Sequence, residues 1–456
     1  MSESLQQGGL HVAIFGAGMG GLASALALAK HGILHIDVYE TASNLGFVGA
    51  GIQLAPNMAR ILDRLGCWEP IAREATDIKE ASIRQHSDNK ELGHVDFAYV
   101  QKVYGVFHMV GHRSSLAGEM YEACNKEKAI KFHFRSSCSG IKSWTPKPTF
   151  TINPREGEPY DVTADVVLAA DGIKSIVRSQ LLKELGVVAE VVDSGQSAYR
   201  ILLTREQLAS DPEMLQLLDA DQVTRWIGEQ RHIIAYPISN KGIYNLSTAQ
   251  PDIHFAEGPS ETYTTRGSKT QMLDRFKDFC PLVQRMLNLV PEGEVCEWKL
   301  RVHSPLPTWI RGCVALVGDA CHPTLPHLAQ GAAQAVEDAG VLGVVLSKLP
   351  NTDPETIQKA LKIYEDVRKE RAETLVELAA ASCRTLHLGE GAAKEERDKQ
   401  FAALKDKGGP NPDKSLDAEV QKMIMGVDVM ELAQIEFSKS FGIYFRENGN
   451  SDGVNH

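Results

Sequence analysis

LHVAIF, at residues 10–15, is an unbroken apolar run that predicts a strand buried on both faces. GAGMGG follows at 16–21 and leads straight into LASALALAKHG, which predicts a helix. IDVYE predicts a second strand ending at Glu40. The order of strand, turn and helix then recurs twice. ADVVLAA, 164–170, predicts a buried strand, and Asp171-Gly172-Ile173-Lys174-Ser175 turns from it into a helix that carries Arg178. ALVGDACHPTLPHLAQGAAQAVEDAG, 315–340, opens as a buried strand, places Asp319 at its end and reaches a helix starting near Gly331. Between these units GFVGAGIQLAPN reads as a loop whose Pro56-Asn57 starts an amphipathic helix stopping at Gly66. The turn-rich HMVGHRSSL leads through His112-Arg113 into a helix from about Ser114 to Asn125.

From about 190 to 300 the period changes. SAYRILLT and RHIIAYPI read as sheet, and SNKG ahead of IYNLSTA predicts a hairpin turn. Beyond Pro350 the chain reads as helical, with EDVRKERAETLVELAAAS a long amphipathic segment and KDKGGPNPDKS a loop. The pattern predicts an α/β fold in three parts. Residues 10–75, 100–188 and 300–350 make a discontinuous Rossmann-like dinucleotide-binding domain, 76–99 and 189–299 a β-rich substrate domain, and 351–456 a helical C-terminal extension.

The glycines of the first turn carry chemistry. Gly16 permits the tight turn, Gly18 lets backbone N–H groups approach a pyrophosphate, and Gly21 lets helix and strand pack closely. Glu40, about twenty residues on, is placed to accept hydrogen bonds from a ribose diol. No second fingerprint of this kind occurs, so only one dinucleotide is housed permanently. A net charge of -11 argues against nucleic acid as a partner, since phosphate binding wants a basic face. The eight cysteines include no C-x-x-C pair, and no tight histidine clustering points to a metal. A reduced, cytoplasmic chain is the simplest reading. LASALALA lacks the basic approach of a signal peptide, Glu3 standing there instead, and no apolar run is long enough for a transmembrane segment.

An ionised aspartate accepts hydrogen bonds without donating them, so Asp319 suits the hydroxyls of a ribityl chain rather than a phosphate. Gln330-Gly331-Ala332 opens its helix bare of bulky side chains, so N–H groups there can face the edge of a flavin ring. With GAGMGGL and Glu40, GAGIQLAPN, His112-Arg113, AADGIKSIVR and LVGDACHPTLPHLAQGAAQAVEDA in that order, the chain resembles the FAD-dependent aromatic hydroxylases related to para-hydroxybenzoate hydroxylase. It is most similar to the branch of salicylate hydroxylase and 6-hydroxynicotinate 3-monooxygenase, over about residues 10–375. The resemblance implies bound FAD, with Gly51, Arg113 and Asp171 near the cofactor besides the residues above. It implies NADH or NADPH as a visiting co-substrate, and O2 that adds at flavin C4a before a hydroxyl passes to an electron-rich ring.

Such hydroxylation runs faster on a phenolate, so a base or donor network is expected beside the substrate. His232 and Tyr236, four apart in RHIIAYPI, fall on one face of a strand and answer to a His and a Tyr that serve the substrate in the nicotinate branch. A buried tyrosine and a surface histidine are the alternative. Arg200 either holds a phenolate or carboxylate or forms a structural ion pair. His327 is expected to overlook the ring and bind a substrate carboxylate, and His322 to be structural. Lys174 and Arg178 either meet NAD(P)H phosphates or lie on a solvated helix face; Glu337 and Asp338 have no assigned role. Residues 385–456 match nothing in the family and are left either to cap the pocket or to mediate a homodimer. The expected substrate is a small phenolic or heteroaromatic acid, with loss of its carboxylate left open. The rivals are an oxidation or epoxidation of an indole, alkene or polyketide phenol, and a flavin-binding redox sensor without turnover.

Overall fold

A computed structural model describes residues 9–46, 49–188, 191–253, 264–407 and 409–442. Glu3, Phe47, Val48 and residues 443–456 lie outside the described residues. Five apolar runs build a six-stranded sheet in the order Ile310–Arg311, Val314–Leu316, Val166–Ala169, His11–Phe15, His35–Tyr39, Ile130–His133. All its pairings are parallel except the Ile310–Arg311 hairpin edge. Val12, Ala13, Ile14, Val166, Val167 and Leu168 are fully buried, as strands covered on both faces should be. The helices Met19–Lys30 and Gly331–Ser347 pack against each other over this sheet, and both carry small residues along the contact.

A second sheet of eight strands runs Thr264–Arg266, Cys296–Val302, Val192–Thr204, Ile243–Pro251, Arg231–Ile238, Gln222–Gly228, Glu80–Gln85, Glu91–Asp96. The SNKG hairpin forms as its glycine and polar residues predict, with Ser239, Asn240 and Lys241 all at positive φ. Two smaller sheets depart from the sequence reading. Gly51–Leu54 and Met109–His112, read as loop and turn, pair antiparallel, and Thr76–Asp77 adds a third strand. Their glycines and four-residue length conceal the alternation. Ser136–Ser143, Thr149–Pro154 and Tyr160–Thr163 form a meander that covers one face of the first sheet, with Phe150 on Phe15 and Tyr39.

The helices Pro354–Leu386, Ala392–Lys407, Ala418–Met425 and Val429–Phe441 complete the described chain. The first spans 33 residues and docks on Gly331–Ser347 through Arg368, which is fully buried. Its guanidinium reaches Glu337 and, at 2.9 Å, Asp338, while Arg371 meets Glu337 at 2.8 Å and Asn57 donates to the same carboxylate at 2.7 Å. Glu337 and Asp338 therefore tie three helices together. All eight cysteines are free, and no helix among the described residues is long and apolar enough to cross a membrane.

Candidate active site

The site starts from the glycine turn between His11–Phe15 and Met19–Lys30. Gly16 sits at φ +90°, and a Cβ there would stand 2.6 Å from the Ala170 carbonyl oxygen. One on Gly21 would meet the Gly16 carbonyl oxygen at 1.9 Å. These contacts fold the turn onto itself. Gly18, by contrast, has open space where its side chain would be, so the backbone hollow beside it is accessible. Glu40 lies against the same turn: its Oε2 accepts from Ala17 N–H at 2.7 Å and its Oε1 from Ala42 N–H at 2.8 Å.

Asp171, on the neighbouring strand end, accepts from Ile176 N–H at 2.9 Å and thereby holds the start of the helix Ile176–Glu184. Burial pushes its carboxyl up from the usual range, and its Oδ1 is buried without a partner. Arg178 is neither on a solvated face nor open to a visiting phosphate. It is 2% exposed and donates to the carbonyl oxygens of Ile173 and, at 3.1 Å, Ala320, clamping the two strand-end turns together.

Asp319 rides on the turn Gly318–Ala320, exposed and with no hydrogen bond among the described residues. What fixes that turn is Asp338, which accepts from Gly318 N–H at 2.9 Å and pairs with His322 Nε2 at 2.6 Å. The structural reading of His322 thus gains a partner. The helix Gly331–Ser347 begins without a side-chain cap, leaving the N–H groups of Gly331 and Ala332 unclaimed by a cap. Gln330 is 4% exposed, and its Oε1 accepts from Asn57 Nδ2 at 3.0 Å and from Gln334 Nε2 at 3.3 Å.

An accessible backbone hollow, an acid at its rim, an unpartnered exposed aspartate and an uncapped helix start fit one elongated dinucleotide with a hydroxylated chain between its ends. Residues 9–379 match the family described as FAD binding domain. FAD-dependent monooxygenase atnJ of Arthrinium sp is 31% identical over 399 residues, covering 88% of this chain and 90% of that one. The chain is an FAD-dependent monooxygenase of the aromatic hydroxylase family. The monooxygenase is also 30% identical over 374 residues to 6-hydroxynicotinate 3-monooxygenase of Bordetella bronchiseptica, covering 80% and 89% of the two chains. Its fold matches that of a salicylate hydroxylase substrate complex with a TM-score of 0.76 and 24% identity, over 94% and 98% of the chains.

On the substrate side of the monooxygenase, Tyr236 packs edge-on against Gly51, where a Cβ would come within 2.6 Å of its ring. Gly51 N–H donates to Asn245 Oδ1 at 2.7 Å, so this glycine makes room for Tyr236 and Asn245. Arg200 stacks on Trp298 at 4.4 Å and makes no ion pair among the described residues, against the structural alternative. Burial, followed by the nearby Arg113 charge, lowers its guanidinium to about 10. Arg113, Arg200 and Tyr236 lie near enough for their charges to interact, and neither guanidinium pairs with a carboxylate among the described residues.

His232 and His327 gather elsewhere. His327 is 1% exposed, and its Nε2 lies 3.2 Å from Gln196 Oε1, with Nδ1 buried and unpartnered. His232 is buried too, against the surface alternative, with its Nδ1 2.7 Å from His387 Nε2. Cys383 Sγ lies 3.4 Å from His387 Nδ1 and 3.2 Å from Gln196 Nε2, closing a ring of contacts. Burial lowers all three imidazoles, His327 to about 3, His387 to about 4 and His232 well below its ordinary value. They are neutral at physiological pH and resist protonation.

Next to this cluster runs a narrow cavity between the eight-stranded sheet and the helix start, lined by Gln53, Ile83, Ile234, Ala329, Gln330 and Arg225. Its far wall is Asp413, Leu416, Ile424 and Met425. Arg225 pairs inside it with Asp413, at side-chain exposures of 7% and 1%. Sequence reasoning missed His387, Gln196, Arg225 and Asp413. Val223 and Ile227, two positions either side of Arg225 on one strand face, could have flagged it as an inward cation; nothing local marks Asp413, which lies in a loop.

Proposed function

We propose that the monooxygenase uses NADH or NADPH and O2 to hydroxylate an electron-rich aromatic or heteroaromatic ring bearing an acidic group, a phenol or a phenolic acid. The observation that carries this reading is the Arg200 guanidinium, largely buried over Trp298 and without a carboxylate partner among the described residues, which provides a seat for an anion. Bound FAD supplies electron transfer from the nicotinamide and activation of oxygen. Gly16, Gly18, Gly21 and Glu40 hold its adenylate end, Asp319 its ribityl chain, and the Gly331 and Ala332 N–H groups the ring edge, with Arg113 and Asp171 nearby. Arg200 holds the substrate phenolate, and Tyr236 orients it through its hydroxyl. The strand pairing supports a β-rich substrate unit drawn from 76–99 and 189–299, a dinucleotide-binding unit from 10–75, 100–188 and 300–350, and a C-terminal extension over 351–456 that walls the cavity.

Purified protein with bound FAD, supplied with NADH or NADPH, is offered salicylate, 4-hydroxybenzoate, 6-hydroxynicotinate and carboxylate-free phenols of similar size. Substrate-stimulated oxygen uptake and a hydroxylated product by mass are expected. Yellow protein with no stimulation by any of them would leave a flavin-binding sensor in its place. A second reading, a substrate without a carboxylate, is favoured by the Arg225–Asp413 pair, because the cavity's own cation is already neutralised. It predicts faster turnover of the carboxylate-free phenols than of the acids.

A further inference from the structure

Three histidines distant in sequence converge on one carboxylate away from the flavin residues. His11 and His35 stand opposite each other at the first positions of adjacent parallel strands, and Asp37 lies two residues on, on the same face. His11 Nε2 is 2.8 Å and His35 Nε2 3.2 Å from Asp37 Oδ2, while His133 Nε2 is 2.7 Å from Oδ1. The side chain of Asp37 is 10% exposed, that of His11 18%, and those of His35 and His133 51% and 35%, so the carboxylate is sheltered and the ligand side open to solvent.

We infer that His11, His35 and Asp37 form a binding site for a divalent transition-metal ion, Zn2+ fitting best, with His133 orienting the carboxylate through its second oxygen. Two imidazoles and a carboxylate are a borderline-soft N/O donor set, which zinc and its neighbours take and magnesium or calcium do not. Zinc bonds of about 2.0–2.2 Å place tetrahedral ligand atoms about 3.3–3.6 Å apart. The separations of 2.8 and 3.2 Å must open to that range, by less than about 1 Å each. The rings of His11 and His35 stack at 3.9 Å, so the half-exposed His35 must turn for its lone pair to point at the ion. Water completes the shell. His133 in its hydrogen bond to the ligating carboxylate fills the usual supporting place around such an ion. The other buried group of this type, Cys321, His322 and Asp338, is already engaged by Arg368 and Gly318 and offers no opening.

The test uses the full chain without an affinity tag, loaded with FAD, stripped with chelator, given ZnCl2 and dialysed. One zinc per chain by mass spectrometry is expected, with a raised Tm on zinc addition, since the ion joins adjacent strands. His35→Ala and Asp37→Asn should each weaken zinc binding at least tenfold without loss of flavin. Should Asp37→Asn fail to fold, the half-exposed His35→Ala decides alone. No retained zinc in the parent chain, or equal retention in His35→Ala, would overturn the site and leave a hydrogen-bonded histidine–aspartate cluster.

Discussion

Single residues decide where the cofactor and substrate ends of the site can sit. A methyl group on Gly21 would overlap the Gly16 carbonyl, so Gly21→Ala must shift the turn against the strand. We expect Gly21→Ala to retain less than about a tenth of the flavin of the parent protein after gel filtration, read by absorbance. The role of Tyr236 is tested by Tyr236→Phe, which keeps the packing on Gly51 and removes the hydroxyl. Its flavin content should be unchanged and its product formation reduced by about tenfold or more, with reduced nicotinamide consumed without product. Unchanged coupling would remove Tyr236 from the site. Arg200→Gln should raise the KM for a phenolate substrate more than for a neutral one, because the stacking on Trp298 is partly kept while the charge is lost.

At the level of elements, the helix Gly331–Ser347 is held by buried charge as much as by apolar contact. Arg368 balances Glu337 and Asp338, and Asp338 in turn fixes the turn that presents Asp319. Removing the guanidinium leaves two carboxylates buried without their main partner, which costs about 3–5 kcal/mol. Arg368→Ala is therefore expected to lower the denaturation midpoint strongly and to release flavin before the whole chain unfolds. A midpoint within error of the parent would show that Arg371 and His322 suffice. The helix starting near Gly331 was legible in the sequence; the partner of its charges, thirty residues downstream, was invisible because ion pairing between helices leaves no periodic mark in either.

Across the whole molecule, burial shifts several histidines in one direction. It lowers His108, His303 and His387 to about 4 and His327 to about 3, and it holds His232 well below its ordinary value. In the unfolded chain each takes up its proton near pH 6.5, at roughly the ordinary histidine value. Between that value and the folded ones the unfolded state binds more protons, so stability is complete above about pH 6.5 and is lost as pH falls toward about 4. Thermal unfolding followed from about pH 7.5 to about pH 5 should show Tm level down to about pH 6.5 and falling below it, and His327→Gln should flatten that fall. A Tm independent of pH across that range would contradict the burial of the cluster.

The sequence by itself determined the backbone half of this enzyme. Apolar runs broken by glycine and aspartate specify strand, turn and helix through local sterics, and the turns carrying Gly16, Gly18, Gly21, Glu40, Asp319 and Gly331 were legible because each is built from neighbours in the chain. The side-chain half was decided only in three dimensions. His232 was legible as an inward strand residue, but His387 joined it across 155 positions, Arg225 met Asp413 across 188, and His11 met His133 on one aspartate. Contacts of that kind arise from packing one sheet or helix on another, and no spacing along the chain encodes them.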